Sequence, residues 1–195
     1  MMNTRSVGKV AKYLLIVFAV FALVLLGTEL LGKQEEGNLL ETYNFSHLNI
    51  VELIDSLEND NHTKEVQASI SGDTLALSLE GQAYSFDIPN DFFYISFAPY
   101  INSTHDCYTH SLTGCQGELT NKDMFISIYD GDGNLIEEKT MNTGDDGFIG
   151  LYLDRFENYQ IHVSYQALNS QFLVDTSLNQ TCFTEERLSW VIKLK

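Results

Sequence analysis

Val66-Gln67-Ala68-Ser69-Ile70-Ser71-Gly72-Asp73-Thr74-Leu75-Ala76-Leu77-Ser78-Leu79-Glu80-Gly81-Gln82-Ala83-Tyr84-Ser85-Phe86-Asp87-Ile88 is the stretch on which the fold turns. Its apolar side chains recur with period two, at Val66, Ala68 and Ile70, then at Leu75, Leu77 and Leu79, then at Tyr84, Phe86 and Ile88. That period puts successive side chains on opposite faces of a strand. Ser71-Gly72-Asp73 and Glu80-Gly81-Gln82 carry turn residues, so the stretch reads as a hairpin extended to a three-strand meander. Just upstream, Ser46–Asn59 places Ile50, Leu53, Ile54 and Leu57 at helical spacing, with Ser46 positioned as the cap and Asn59-Asp60-Asn61-His62 as the end. One helix and three strands bury too little surface to stand alone. The exposed face or edge of this sheet is therefore expected to pack on a partner subunit or on the next domain.

After the break at Pro89-Asn90-Asp91 a second β region begins. Phe92–Tyr100 is strongly apolar and aromatic. Met124–Tyr129 and Leu135–Thr140 flank the turn Asp130-Gly131-Asp132-Gly133-Asn134, and Phe148–Leu153, Gln160–Tyr165 and Gln171–Val174 alternate in the same way. Trp190-Val191-Ile192-Lys193-Leu194 reads as a last strand. Short strands separated by turn residues predict an antiparallel sandwich. The expected fold class is α+β: a small N-terminal helix with a three-strand antiparallel element, then a C-terminal antiparallel β-sandwich. The expected divisions are 1–32, a membrane anchor or signal segment; 33–90, a small α/β region; and 91–195, the sandwich. Asp130-x-Asp132-Gly133-Asn134 resembles the opening of a calcium loop, but Met141 stands where the bidentate Glu belongs, so a hairpin turn is the reading. Thr143–Gly147 is read as a turn as well.

Leu14–Leu31 is apolar apart from Gly27, Thr28 and Glu29, and a basic segment precedes it. As a helix it would extend about 27 Å, close to the thickness of a bilayer core. The absence of an Ala-x-Ala after it favours a retained anchor over a cleaved signal, and either fate puts Gln34–Lys195 outside the cytoplasm, in the cell envelope. Formal net charge is −16, and the residues beyond position 32 hold 8 basic and 26 acidic side chains, a balance of −18. Such a surface repels phosphate backbones, which excludes nucleic acid as a partner class.

The chain has three cysteines. Two lie in His105-Asp106-Cys107-Tyr108-Thr109-His110-Ser111-Leu112-Thr113-Gly114-Cys115, and the third, Cys182, lies far downstream. In a folded-back loop, His105, Cys107, His110 and Cys115 point inward together, and Cys182 joins them if its strand ends at the same edge. Thiolates select Cu(I), zinc or iron–sulfur clusters, and imidazole suits zinc and copper. Three sulfurs suit Cu(I), and Cys3His also satisfies zinc. The plain alternative is a Cys107–Cys115 disulfide stapling the loop, with Cys182 a buried free thiol, because the compartment oxidises thiols. Catalytic thiol chemistry is the third option.

The block from Phe97-Ala98-Pro99-Tyr100 through His105-Asp106-Cys107 to Cys115-Gln116-Gly117-Glu118-Leu119 resembles the CueP family of periplasmic copper-binding resistance proteins. So do Asp146-Gly147-Phe148-Ile149-Gly150-Leu151-Tyr152-Leu153, Val163-Ser164-Tyr165-Gln166 and Thr181-Cys182. The resemblance is densest over residues 92–183. It implies that Cys107, Cys115 and Cys182 supply three thiolates to Cu(I), with His105 and His110 beside them as auxiliary or transfer ligands. It also implies a dimerisation role for the N-terminal α/β element and a C-terminal sandwich that binds the metal. Asp106 stands where the family pattern leads one to expect Pro, which adds negative charge beside the site. The function expected is an envelope protein that sequesters Cu(I) for copper resistance or delivery, rather than an enzyme. The alternative is a thiol redox protein that reduces Cu(II) or exchanges disulfides. The expected partners are the copper ion, an envelope cuproenzyme or thiol-redox protein, a second copy of the chain, and the membrane through the N-terminal segment.

Overall fold

The computed structural model describes residues 39–59 and 63–190. The anchor or signal expected over 1–32 and the strand end at Val191–Leu194 lie outside them. Among the described residues no helix is long and apolar enough to cross a membrane. The chain divides into two compact units, Met1–Leu48 and Asn49–Lys195. In the first, residues 39–42 are helical.

The second unit opens with helix α1 (Ile50–Asn59), which buries Leu53, Ile54 and Leu57. Its cap is Asn49, not Ser46. The Asn49 side chain accepts the N–H groups of Val51 and Glu52 at 3.0 Å each, and Glu52 reaches back to the Asn49 N–H at 2.9 Å. This reciprocal capping box satisfies donors that the helix itself leaves unpaired, and a Ser46 cap would leave them open. Strands β1 (Val66–Ile70), β2 (Thr74–Leu79) and β3 (Gln82–Asp87) form the expected antiparallel meander. Val66, Ala68, Ile70, Leu75, Leu77 and Leu79 face inward, all nearly fully buried.

The rest is a sandwich. One sheet runs β10 (Cys182–Phe183), β4 (Phe93–Phe97) and β7 (Ile149–Leu153). The other runs β11 (Ser189–Trp190), β9 (Leu168–Asp175), β8 (Asn158–Tyr165), β5 (Asp123–Asp130) and β6 (Leu135–Asn142). Alternate residues meet in the core: Phe93, Ile95 and Phe97 from β4, Met124, Ile126 and Ile128 from β5, Ile161 and Val163 from β8. The fold is thus mostly β with a small helix, as the periodicity predicts. One pairing departs from the all-antiparallel expectation: β10 lies parallel to β4, with Cys182 opposite Ser96. The Asp130 turn is a hairpin turn, its carboxylate accepting the backbone N–H groups of Asp132 at 3.0 Å and Asn134 at 2.8 Å.

The meander is tied to the sandwich of its own chain. Arg155 donates to Asp73 at 2.9 Å, to the Phe92 carbonyl at 2.8 Å and to the Gly72 carbonyl, with its guanidinium over the Phe93 ring. Tyr152 on β7 donates to Asp55 on α1 at 2.7 Å. These ties hold helix, meander and sandwich around the loop between β4 and β5, which carries the cysteine cluster.

Candidate metal centre

Three segments converge at the site. His110 in the β4–β5 loop bridges Ile70 at the end of β1, its carbonyl accepting the Ile70 N–H at 2.9 Å. Thr181 lies between them: its hydroxyl donates to the Ile70 carbonyl at 2.6 Å and accepts the His110 N–H at 3.1 Å. The Tyr108 carbonyl accepts the N–H groups of Thr181 at 3.0 Å and Cys182 at 3.1 Å. The loop is thereby folded back onto β10, and Cys182 comes to lie beneath Cys107.

The Cys115 arm is shaped by a glycine pair. Gly117 donates to the Asp146 carbonyl at 2.6 Å. A Cβ on Gly117 would stand 2.6 Å from the Gly147 carbonyl oxygen, and Gly147 itself has φ +84°. Two backbones pass at a distance that no side chain permits, and one adopts a conformation that favours glycine. Further along, the Glu118 carboxylate accepts the N–H groups of Ile101 at 2.6 Å and Asn102 at 2.9 Å. Burial opposes the charge on Glu118, but the backbone donors of Asn102 and Ile101 outweigh it and bring its pKa down to about 2.

Cys107 and Cys182 are joined in a disulfide, with Cα atoms 5.5 Å apart, and Cys115 is free. This differs from the plain alternative of a Cys107–Cys115 staple with Cys182 as the free thiol, and also from the three free thiolates that the resemblance implies. The parallel pairing of β10 with β4 decides the matter, because it sets Cys182 at the root of the loop. The Cys115 sulfur lies 3.8 Å from that of Cys107, and Nδ1 of His110 lies 3.7 Å from the Cys182 sulfur. One ligand atom each from Cys107, His110, Cys115 and Cys182 falls within 4.8 Å of the others. His105 stays outside that set: it is exposed, its Nδ1 is 3.2 Å from the Asp106 carbonyl, and its ring centroid is 6.4 Å from that of Phe148.

The surroundings are apolar on one side and charged on the other. Ala98, Phe148 and Cys182 form a small buried cluster against which Cys107 and Cys115 pack. The Phe148 ring lies 4.8 Å from that of His110. On the far side of the imidazole, Nε2 donates to the Glu58 carboxylate at 2.8 Å, and both side chains are almost wholly buried. Burial disfavours a charged His110, yet the hydrogen bonds to Cys115 and Glu58 outweigh it and lift its pKa to about 9.

Three sulfurs and one imidazole nitrogen, with Cys182 and His110 buried and Cys107 and Cys115 partly exposed, make a soft donor set suited to Cu(I), and Cys3His also meets the demands of zinc. Only thiolates bind, so the bridged pair must first be reduced.

The sequence profile of the family described as periplasmic copper-binding protein CueP matches residues 49–187. The chain belongs to the CueP family. A crystal structure described as that of S.CueP has 34% sequence identity and a TM-score of 0.74, and the match covers 79% of this chain and 97% of that one. No curated protein gives a significant match. The CueP match spans helix, meander and sandwich together, and so takes in every residue that surrounds the cluster.

Glu58 is the residue that sequence reasoning missed. The apolar stripe of α1 runs Ile50, Leu53, Ile54, Leu57, and the next position on that stripe, eight residues after Ile50, is Glu58. A carboxylate on a core-facing position was the available signal.

Proposed function

We propose that this protein sequesters Cu(I) in the cell envelope, binding one ion through the thiolates of Cys107, Cys115 and Cys182 with Nδ1 of His110 at the remaining position. The observation that carries this reading is the convergence of those four donors within 4.8 Å. Soft metal–thiolate bonding supplies the affinity, and the apolar side chains of Ala98 and Phe148 pack against the sulfurs. Exposed His105, at the rim of the loop, is the group placed to receive copper from or pass it to an envelope cuproenzyme. The test is competition against a chromophoric Cu(I) chelator under reducing, oxygen-free conditions. The wild type is expected to strip the chelator, and a Cys107→Ser, Cys115→Ser double variant to lose that capacity. Retained high affinity in the double variant refutes the reading.

A second reading rests on the Cys107–Cys182 bridge itself. Two thiols that lose two protons and two electrons to form this bond reduce two Cu(II) ions to Cu(I). Stoichiometric appearance of the bridge when Cu(II) meets the reduced protein supports this redox role, and unchanged thiol content opposes it. The N-terminal segment is proposed to hold the protein at the membrane, and the α/β region to pair two copies. Sedimentation of the full chain with and without detergent, and at increasing concentration, tests both.

A further inference from the structure

Helix α1 reaches the metal centre through Glu58. The Glu58 carboxylate, 7% exposed, accepts the Nε2–H of fully buried His110 at 2.8 Å to one oxygen and 3.0 Å to the other. Its Oε1 also accepts the hydroxyl of Ser96 on β4 at 2.8 Å. Buried Tyr94 lies close by, its pKa raised well above the usual value by burial and by the Glu58 charge. A carboxylate only accepts, so the nitrogen facing it must be the protonated one. The other ring nitrogen, Nδ1, faces the Cys182 sulfur 3.7 Å away, and it is the nitrogen that gives up its proton when the ion binds. Turning the ring over would give up the charge-assisted hydrogen bond and leave the buried carboxylate with the neutral Ser96 hydroxyl in its place.

We infer that Glu58 is the positioning residue of the copper centre: it holds His110 by Nε2 and so presents Nδ1 to the ion. This inference rests on the copper reading above and deepens it. It goes beyond the cysteine set by making helix α1, from the N-terminal α/β region, a functional part of the site. Glu58 lines a solvent-accessible cavity of about 390 Å³, with Asp55, Tyr94, Asp146 and Tyr152 among its other walls. Partners of this kind, behind a ligating histidine, change metal affinity by roughly 10- to 100-fold when removed.

The test combines two measurements on the full chain. Nitrogen-15 NMR of the His110 ring in the reduced wild type, before and after adding Cu(I), is expected to show a proton retained on Nε2 and the metal on Nδ1. This arm needs no variant and so does not depend on folding. Cu(I) competition is then run on Glu58→Leu and on the near-isosteric Glu58→Gln. The Leu variant is expected to bind roughly 10- to 100-fold more weakly with one ion still bound, and the Gln variant to recover part of that loss. Copper on Nε2, or an unchanged affinity in folded Glu58→Leu, overturns the inference while leaving the thiolate site standing. A reduced wild type that takes up no Cu(I) refutes the copper reading itself.

Discussion

Reducing the Cys107–Cys182 bridge is a perturbation whose size follows from the chain. The bridged residues are 75 apart in sequence, and the loop-closure relation for a cross-link of that span gives about 4.5 kcal/mol at 25 °C as the entropic stabilisation from restricting the unfolded chain. Residual structure in the unfolded ensemble lowers the measured figure. The Cys115→Ser variant is the proper background, because it leaves only one possible bridge. Urea unfolding of its oxidised and reduced forms, with mass spectrometry confirming the gain of two hydrogens, is expected to show a clear fall in midpoint on reduction. The slope is expected to rise as the unfolded state expands. If Cu(I) binds the reduced wild type through these thiolates as proposed, a thousandfold excess over its dissociation constant should restore about 4 kcal/mol. Coincident midpoints for verified oxidised and reduced forms refute the argument. They would mean that the fold holds Cys182 under Cys107 without help from the bond.

Two further outcomes follow from the loop. Gly147→Ala puts a Cβ within 2.9 Å of the Gly117 backbone at φ +84°, so it is expected to cost about 1–3 kcal/mol in thermal unfolding and to weaken Cu(I) uptake through a displaced Cys115. Glu118 has its pKa lowered to about 2 from an ordinary value near 4.5. A depressed carboxyl stabilises the fold fully above its unfolded value, and that contribution fades as the pH falls through about 2. The gap in melting temperature between the wild type and Glu118→Gln should therefore be widest above pH ~5 and close on acidification. A gap that is constant across that range refutes the assignment.

The strands were legible because each carries its own signal. Phe93, Ile95 and Phe97, or Ile126 and Ile128, alternate on one face, and Gly or Asp turns end the runs. β10 carries no such signal: it is two residues long and exists only through its pairing with Ser96 and Phe97. That pairing decides which cysteines meet, so the bridge was not legible either. Spacing brings Cys107 and Cys115 near each other and says nothing about position 182. The two histidines look alike in sequence, and they part only when Thr181 fixes the His110 backbone between two sheets while His105 remains at the surface. Asn49 displaced Ser46 as the cap because Glu52 follows it at capping-box distance. The donor types were readable from the start, since sulfur and imidazole state their own preference for metals.

The central claim is that three sulfurs close on one monovalent ion. Loading the fully reduced chain with Cu(I) under argon and then adding an alkylating agent tests it most directly. Intact-mass measurement is expected to find one copper per chain and Cys107, Cys115 and Cys182 all shielded together, with no copper on the bridged form. One copper bound while Cys115 or Cys182 alkylates as fast as in the metal-free reduced protein would contradict the account.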